Sequence, residues 1–342
     1  MILDLSLSEM EKYVEDLGEK KFRAKQIFDA CTQLKSLEEI TNLPQNLKGK
    51  IKKDWFFYEI SADLQSKDGT RKIAIKFADG SIVESVLLKY KYGNTVCVST
   101  QVGCRMGCTF CASTLGGLKR NLSAGEILLQ VLLFNRLLGG THKERKVTNV
   151  VLMGCGEPLD NYDNVTKFLR LVSSPEGLNI SQRNISLSTC GLVPNIYRLA
   201  DDGFSVTLTI SLHAPNDELR KQIMPIANAY KISEILQACD HYFDKTGRRI
   251  CFEYSLIDGV NDGDKEVEEL ARLLHGRSCH VNLIPLNSVK EKKLVGVSRA
   301  KAYKIAEKLE KLGISATVRR TMGEDIEGAC GQLRNRIGGQ NA

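Results

Sequence analysis

From residue 94 onward the chain repeats one rhythm, a short apolar run and then a longer stretch with helical spacing. That rhythm limits the fold more than any other feature. Strand candidates are Thr95–Ser99, Val147–Met153, Asn184–Ser188, Val206–Leu212, Ile250–Leu256 and His280–Ile284. Helical segments lie between them, such as Ser123 to Leu138, which opens on a Ser123-x-x-Glu126 capping box. A last helix from Ser298 to Leu312 leads into Ser315–Arg319. Six such units argue for an α/β fold, a parallel sheet curled into a partial (β/α)6 barrel. There is no repeat array and no low-complexity run.

The part before residue 94 reads differently. Up to about residue 60 it is a set of short helices, with apolar residues at helical spacing over Lys21 to Gln33 and a break at Asn42-Leu43-Pro44. From Leu64 to Tyr90 the period becomes two. Arg71 to Phe77 and Ser81 to Leu88 alternate around Ala78-Asp79-Gly80, a hairpin signal. Tyr92-Gly93-Asn94 suggests a boundary. The expected organisation is therefore a helical and β-hairpin accessory domain over 1–93, a barrel over 94–320 and a C-terminal segment over 321–342.

At 342 residues, 42% hydrophobic and 26% charged, the chain has the composition of a globular protein with little room for disorder. A net charge of +7 permits a nucleic-acid partner without demanding one. Basic clusters occur at Lys20, Lys21, Arg23 and Lys25, at Lys48, Lys50, Lys52 and Lys53, and again from Lys290 to Lys304. Each could equally be a solvated helix face. The most apolar stretch, Ile127 to Leu138, is broken by Gln130, Asn135 and Arg136 and is too short to span a bilayer, so no membrane partner is expected. The eleven cysteines are odd in number and unevenly spaced, and the opening Met1-Ile2-Leu3-Asp4 is acidic rather than a basic signal peptide. A reducing cytoplasm is the expected location, and there clustered cysteines point to metal or catalysis rather than a disulfide framework.

Cys104-Arg105-Met106-Gly107-Cys108-Thr109-Phe110-Cys111 follows the first strand candidate. Three thiolates at C-x3-C-x2-C can hold three irons of a 4Fe–4S cluster, and with no fourth cysteine or histidine nearby the last iron stays open. A zinc site is the plainer alternative. Met153-Gly154-Cys155-Gly156-Glu157-Pro158 closes the second strand candidate, where glycines would let backbone approach a ligand and Glu157 offers negative charge to an ammonium.

These stretches resemble the radical S-adenosylmethionine (SAM) superfamily in its three-cysteine loop and its glycine-rich segment. Val96-Cys97-Val98-Ser99-Thr100-Gln101-Val102-Gly103-Cys104, Ser211-Leu212-His213-Ala214 and Gly328-Ala329-Cys330-Gly331-Gln332-Leu333 narrow the resemblance to the RlmN family. Its members are dual-specificity rRNA/tRNA adenine-carbon-2 methyltransferases. The likeness also takes in Phe22-Arg23-Ala24-Lys25-Gln26 and Val83-Glu84-Ser85-Val86. Cys155 departs from the apolar residue common at its place, and no role is assigned to it.

The resemblance implies a 4Fe–4S cluster on Cys104, Cys108 and Cys111, with SAM contacted by Gly156, Glu157, Ser188, Ser211, Leu212, His213 and Asn287. Independently of it, those SAM contacts fall at the carboxyl ends of predicted strands, where barrel active sites form. Carbon 2 of adenine is electron-poor and cannot attack a SAM methyl group as a nucleophile, so a radical route is required. The family solution, mapped here, makes Cys330 a methyl carrier, Cys97 its resolving partner through a transient disulfide, and Glu84 the proton acceptor. Two SAM molecules are used per turnover on that scheme. Partners implied are 23S rRNA, tRNA and an electron donor such as flavodoxin or ferredoxin. Taken alone, Cys97 and His213 would read as core residues and Ser188 and Asn287 as turn residues. Cys330 lies among Gly323, Gly328 and Gly331, a composition that lets a segment move. Two rivals remain at this stage: methylation at adenine carbon 8, as in the related Cfr enzymes, and a non-enzymatic iron–sulfur or zinc RNA-binding protein.

Overall fold

A computed structural model describes residues 1–141 and 143–334, so residues 335–342 of the expected C-terminal segment lie outside the described residues. Four strands open the main sheet: β1 (Tyr58–Gln65), β2 (Arg71–Phe77), β3 (Ile82–Tyr90) and β4 (Gly93–Cys97). They pair antiparallel in succession. A separate small hairpin follows, β5 (Gln101–Gly103) with β6 (Leu118–Asn121). The main sheet then resumes with β7 (Val147–Leu152), β8 (Ile185–Thr189), β9 (Thr207–Ser211), β10 (Ile250–Leu256), β11 (Cys279–Pro285) and β12 (Ala316–Val318). From β4 through β12 every pairing is parallel. The order β1-β2-β3-β4-β7-β8-β9-β10-β11-β12 leaves β1 and β12 as outer strands, so the sheet is open.

A helix bridges each parallel step: Ala124–Leu137, Tyr162–Ser173, Val193–Asp201, Ile232–Thr246, Asp264–Leu274 and Arg299–Lys311. These are the six strand–helix units expected from the rhythm, with β12 as a closing strand. Parallel neighbours need such crossovers, because a tight turn cannot return the chain to the starting end. Among the described residues no helix is long and apolar enough to cross a membrane.

The boundary read at Tyr92-Gly93-Asn94 is a turn within one sheet. Tyr90 pairs with Gly93 and Val86 with Cys97, so β3 and β4 form a hairpin. Turn residues mark a reversal of the chain, and sequence alone does not distinguish a reversal from a linker. The core is continuous across it as well, with Met10, Ile27, Leu47 and Phe77 in one cluster with Leu129, Val150 and Leu208.

That continuity explains the most apolar helix. Ala124–Leu137 is buried nearly all round, which a surface helix is not. Its inner face meets the sheet, while residues 2–4 cover its start. A Cβ on Gly125 would stand 2.8 Å from the Leu3 backbone. The Gly125 amide donates to Asp4 Oδ1 at 2.7 Å, and Arg136 Nη1 donates to the Leu34 carbonyl at 2.6 Å. The capping box is present: Ser123 Oγ accepts from the Glu126 amide, and Glu126 Oε2 accepts from the Ser123 amide at 2.9 Å.

Ser123→Ala removes one half of that reciprocal cap and should lower stability by about 1 kcal/mol. Urea unfolding followed by far-ultraviolet circular dichroism checks this, and an unchanged midpoint would show that the cap adds nothing.

Candidate active site

The three-cysteine loop hangs between β5 and β6, and its entry and exit are pressed together. Gly103 has φ +79°, and a Cβ there would lie 1.8 Å from the Gly117 carbonyl oxygen. That same oxygen accepts from the Cys104 amide at 3.1 Å. Only glycine fits a position that combines left-handed backbone with such close approach. At the far side the Thr109 amide donates to the Ile223 carbonyl at 3.0 Å, which ties the loop to the segment after β9. Cys104 and Cys108 are buried and Cys111 is half-buried. Burial pushes the Cys104 thiol up to about 12 and raises Cys108 as well.

All three cysteines line one cleft of about 900 Å³. Its walls come from the carboxyl ends of the parallel strands: Gly154, Gly156 and Glu157 after β7, Ser188 on β8, Ser211 and His213 at the end of β9, Glu253 and Ser255 on β10, and Asn287 after β11. Strands β7 to β11 therefore curve around it. Of the residues expected to contact SAM, Leu212 does not reach the cleft; it is fully buried in the main core. Leu212 follows Ser211 in the strand direction and so points to the opposite face, while the left-handed backbone at His213 brings that ring to the cleft.

The glycines after β7 line the cleft and also let two strand exits meet. A Cβ on Gly154 would sit 2.7 Å from the Val98 carbonyl oxygen, and one on Gly156, at φ +107°, would sit 2.6 Å from Gln101 Cβ. Their missing side chains let the β7 exit lie against the β4 exit. Cys155, between them, is buried, and its carbonyl accepts from the Thr100 and Gln101 amides. The Glu157 amide donates to Gln101 Oε1 at 2.8 Å. The Glu157 carboxylate is buried, which raises its proton affinity, and it accepts from the Leu159 amide at 3.0 Å and the Cys190 amide at 2.8 Å. Cys190 drew no attention in the sequence. It lines the cleft, with its thiol directed to the Glu157 carboxylate.

His213 is held with φ +57°, rare for a residue with a side chain. The Asn261 amide group bonds the carbonyls of His213 and Ser255, and His213 Nδ1 accepts from the Ser255 amide at 2.9 Å. The accepting nitrogen carries no proton, so the ring is neutral with its N–H at Nε2. Burial drives its pKa down to about 3, with the Arg220 charge adding to the effect. Phe110 packs edge-on against it at 5.0 Å between ring centres. Arg220 is fully buried and donates to the carbonyls of Cys190, Ser211 and Leu212, clamping the ends of β8 and β9 together.

A second cleft, of about 610 Å³, lies beside the first and is lined by Cys97, Tyr90, Met153, Arg319, Ala329 and Leu333, among others. Cys330 lines both clefts; the residue has exposed surface, while its sulfur is recessed between the cleft walls. Its segment is docked in one position. The Ala112 amide donates to the Gly331 carbonyl at 2.8 Å, Ser113 Oγ to the Leu333 carbonyl at 2.8 Å and Asn287 Nδ2 to the Cys330 carbonyl at 3.0 Å. Burial raises the Cys330 thiol, while the Arg319 charge opposes that. Burial likewise pushes Cys97 up to about 12. Arg319 Nη1 donates to Glu253 Oε1 at 2.6 Å. Arg319 went unnoticed in the sequence, although it too ends a strand candidate; Arg220 sits on a short helix and carried no signal.

Glu84 lines neither cleft. It is buried in β3, paired with Lys72 Nζ at 2.8 Å, and its Oε2 accepts from the Arg334 amide at 2.7 Å. Lys72 Nζ also donates to the Glu327 carbonyl at 3.1 Å. In this arrangement the pair fastens the segment that carries Cys330.

The donor set fits a 4Fe–4S cluster: three soft thiols from one tight loop, facing a cleft of ligand size. Bound iron would bring the positive charge that burial withholds, since a coordinating thiol is deprotonated outright. Among the described residues no three His, Cys, Asp or Glu side chains group as the ligands of a single ion. A cluster takes one sulfur per iron and does not need such a grouping.

Comparison with known proteins agrees with this chemistry. Residues 98–274 match the family model described as radical SAM superfamily, and residues 1–56 match that of the ribosomal RNA large subunit methyltransferase N-terminal domain. A protein of Clostridium perfringens (strain SM101 / Type A), named probable dual-specificity RNA methyltransferase RlmN, is 54% identical over 97% of this chain and 96% of its own. One of the same name from Lachnoclostridium phytofermentans is 51% identical over 96% and 93%. The crystal structure of a radical SAM methyltransferase from Sphaerobacter thermophilus superposes with a TM-score of 0.93 at 44% identity, over 98% of this chain and 99% of that one.

The buried neutral state of His213 has a consequence for acid stability. Its ordinary pKa of 6.5 falls to about 3 on folding, so the unfolded chain binds the extra proton between those values. Stability contributed by the neutral ring is present above about pH 6.5 and is lost as pH falls. Between pH 7.5 and 5.5 this single group should remove about 1 kcal/mol. Urea unfolding at both pH values should show a smaller loss in His213→Gln than in the wild type; equal losses would mean that the ring titrates in the folded protein.

Proposed function

Because this chain belongs to the RlmN family within the radical SAM superfamily, we propose that it methylates carbon 2 of an adenine in large-subunit ribosomal RNA and in the tRNA anticodon loop. The observation that carries the reading is the position of Cys330. It stands in the wall shared by two clefts, one holding Cys104, Cys108 and Cys111 and the other Cys97.

Cys104, Cys108 and Cys111 would hold a 4Fe–4S cluster, which, once reduced by one electron, would supply the chemistry that turns SAM into methionine and a 5′-deoxyadenosyl radical. Gly156, Glu157, Ser188, Ser211, His213 and Asn287 orient SAM from the strand ends; Glu157 offers its carboxylate to the ammonium. Cys330 takes a methyl group at sulfur by displacement from one SAM. The Arg319 guanidinium opposes the burial of that thiol and so favours the thiolate that the displacement needs. A second SAM would serve the radical step: the S-methyl on Cys330 gives a hydrogen atom to the 5′-deoxyadenosyl radical, its carbon bonds to carbon 2 of the adenine, and the adduct then loses the ring proton and returns one electron to the electron-transfer chain. Cys97 then attacks the Cys330 sulfur and the sulfur–carbon bond breaks; the freed methylene takes up a proton to become the methyl group of the released base, and the Cys97–Cys330 disulfide is left for thiols of the cytoplasm to reduce.

Glu84 is the assigned acceptor of the ring proton, and burial, which raises its proton affinity, supports that assignment. Both of its oxygens are engaged, so it acts when Lys72 and the Arg334 amide release it. The electron comes from a donor such as flavodoxin or ferredoxin. On the RNA side, the basic stretch near residue 21 is partly neutralised within the protein, by Lys21–Glu11 at 3.0 Å and Lys25–Asp29 at 2.6 Å. Arg23 stacks 4.7 Å above the exposed Phe22 ring and is the better candidate there for RNA contact. The RlmN names of the relatives favour carbon 2 over carbon 8.

Anaerobic reconstitution with rRNA and tRNA fragments, followed by nucleoside mass spectrometry, should yield 2-methyladenosine from both; 8-methyladenosine would move the target. Cys330→Ala should yield none, and full activity there would end the carrier scheme. Cys97→Ala should leave RNA joined to Cys330, seen as a band shift on a denaturing gel that ribonuclease removes.

A further inference from the structure

At the turn between β3 and β4, two tyrosine rings stand in a stack that the packing of the core does not require. Tyr90 and Tyr92 are 4.9 Å apart between ring centres and only 7° from parallel. Tyr92 is 70% exposed, the largest exposure among the large hydrophobic side chains of the described residues. A single exposed aromatic is ordinary. This one is the outer member of a stack whose inner member lines the cleft of Cys97, Cys330 and Arg319. The stack therefore runs from solvent to the rim of the chamber where Cys330 is accessible.

We propose that the open face of Tyr92 is a stacking shelf for a nucleobase of the RNA substrate, the one next to the adenine that enters the cleft. This deepens the RNA-methylation reading and rests on it. A base laid on Tyr92 is one ring outside Tyr90, too far out to be the reacting adenine and suitably placed for its neighbour. An adenine cannot present carbon 2 to a recessed sulfur while stacked in a helix, so it must leave its stack and its neighbour loses a partner. An aromatic face at the rim replaces that partner. Such stacking reads no sequence, because every base has a π-face. That tolerance suits an enzyme that accepts two unlike RNAs.

The surroundings carry charge of the right sign for a phosphate backbone. Lys89 and Lys91 are exposed on either side of Tyr90, and Arg319 and Arg320 line the cleft below. The turn is also held in place before RNA arrives. Tyr90 pairs with Gly93, whose φ is +143° and where a Cβ would come within 2.2 Å of Thr148 Oγ1. A residue with a side chain at 93 would push the turn, and Tyr92 with it, away from β7.

The test compares wild type, Tyr92→Ala and Tyr92→Phe on a tRNA anticodon stem–loop and an rRNA hairpin. Tyr92→Ala should raise KM for both RNAs about tenfold, with kcat at saturating RNA within about twofold, while Tyr92→Phe keeps the wild-type KM. In a second arm 2-aminopurine replaces the base beside the target adenine. Its fluorescence should fall on binding to wild type and to Tyr92→Phe, and much less on binding to Tyr92→Ala. A KM in Tyr92→Ala within twofold of wild type, or a quench that survives loss of the ring, overturns the shelf. So does a Phe variant as poor as Ala, since the hydroxyl and not the ring would then matter. The fluorescence arm needs no turnover: a wild type that quenches the probe yet makes no methyladenosine supports the shelf and counts against the methylation reading alone.

Discussion

Three thiols gathered on one tight loop, two of them buried, are the constraint on which this molecule turns. Burial raises Cys104 and Cys108 far above neutrality. Such a loop makes chemical sense only as the receiver of metal charge. Holding it in shape requires the Gly103–Gly117 contact below and the Thr109–Ile223 hydrogen bond at the side. Two parts of the chain far apart in sequence must therefore be in place before the sulfurs face one cleft. The open sheet provides that, with β4 delivering the loop and the stretch after β9 bracing it.

A second consequence concerns Cys330. Its segment docks on the residues that immediately follow the cluster ligands, Ala112 and Ser113, and on Asn287 beyond β11. Cys330, the proposed carrier, is thus positioned by the loop proposed to hold the cluster. The Lys72–Glu84 pair secures the segment from the other side, through the Arg334 amide and the Glu327 carbonyl. A buried ion pair adds little net stability, because desolvation offsets attraction, yet removing one partner is strongly unfavourable. That makes the pair a device for fixing one arrangement. In this arrangement Glu84 is a fastener, and a role for it as a base needs the fastener undone.

What could be read from the sequence was what depends on neighbours along the chain. The Ser123 box, the Arg71–Phe77 strand, the three-cysteine spacing and the strand-end positions of Ser188 and Ser211 all follow from local period or spacing. What could not be read depends on contacts across the fold. Arg220 has no sequence signature, because its partners are carbonyls on two other elements. Leu212 was grouped with Ser211 and His213 by motif, while the alternation of extended backbone sends it to the core. Gly154 and Gly156 carried the sign of close-approach positions, and that the β4 exit is one of the bodies they approach could not be read from the chain. The turn at Gly93 carried the signs of a linker, and only pairing partners reveal it as a hairpin.

The sharing of one wall by two clefts has a chemical logic of its own. A sulfur that accepts a methyl group must face the donor, and the same sulfur must later be attacked by a second thiol. On the proposed scheme, if both reactions used one chamber, the Cys97 thiol would crowd the face of Cys330 that has to meet the methyl donor. Lining both clefts with Cys330 while Cys97 lines only the second keeps the two partners of that sulfur on different sides of it. Arg319 stands in the second cleft and bonds Glu253, which lines the first, so its charge acts on Cys330 from the side of the thiol partner while anchored to the side of the donor. On the proposed carrier scheme, the order of events is governed by which face of that one sulfur is occupied.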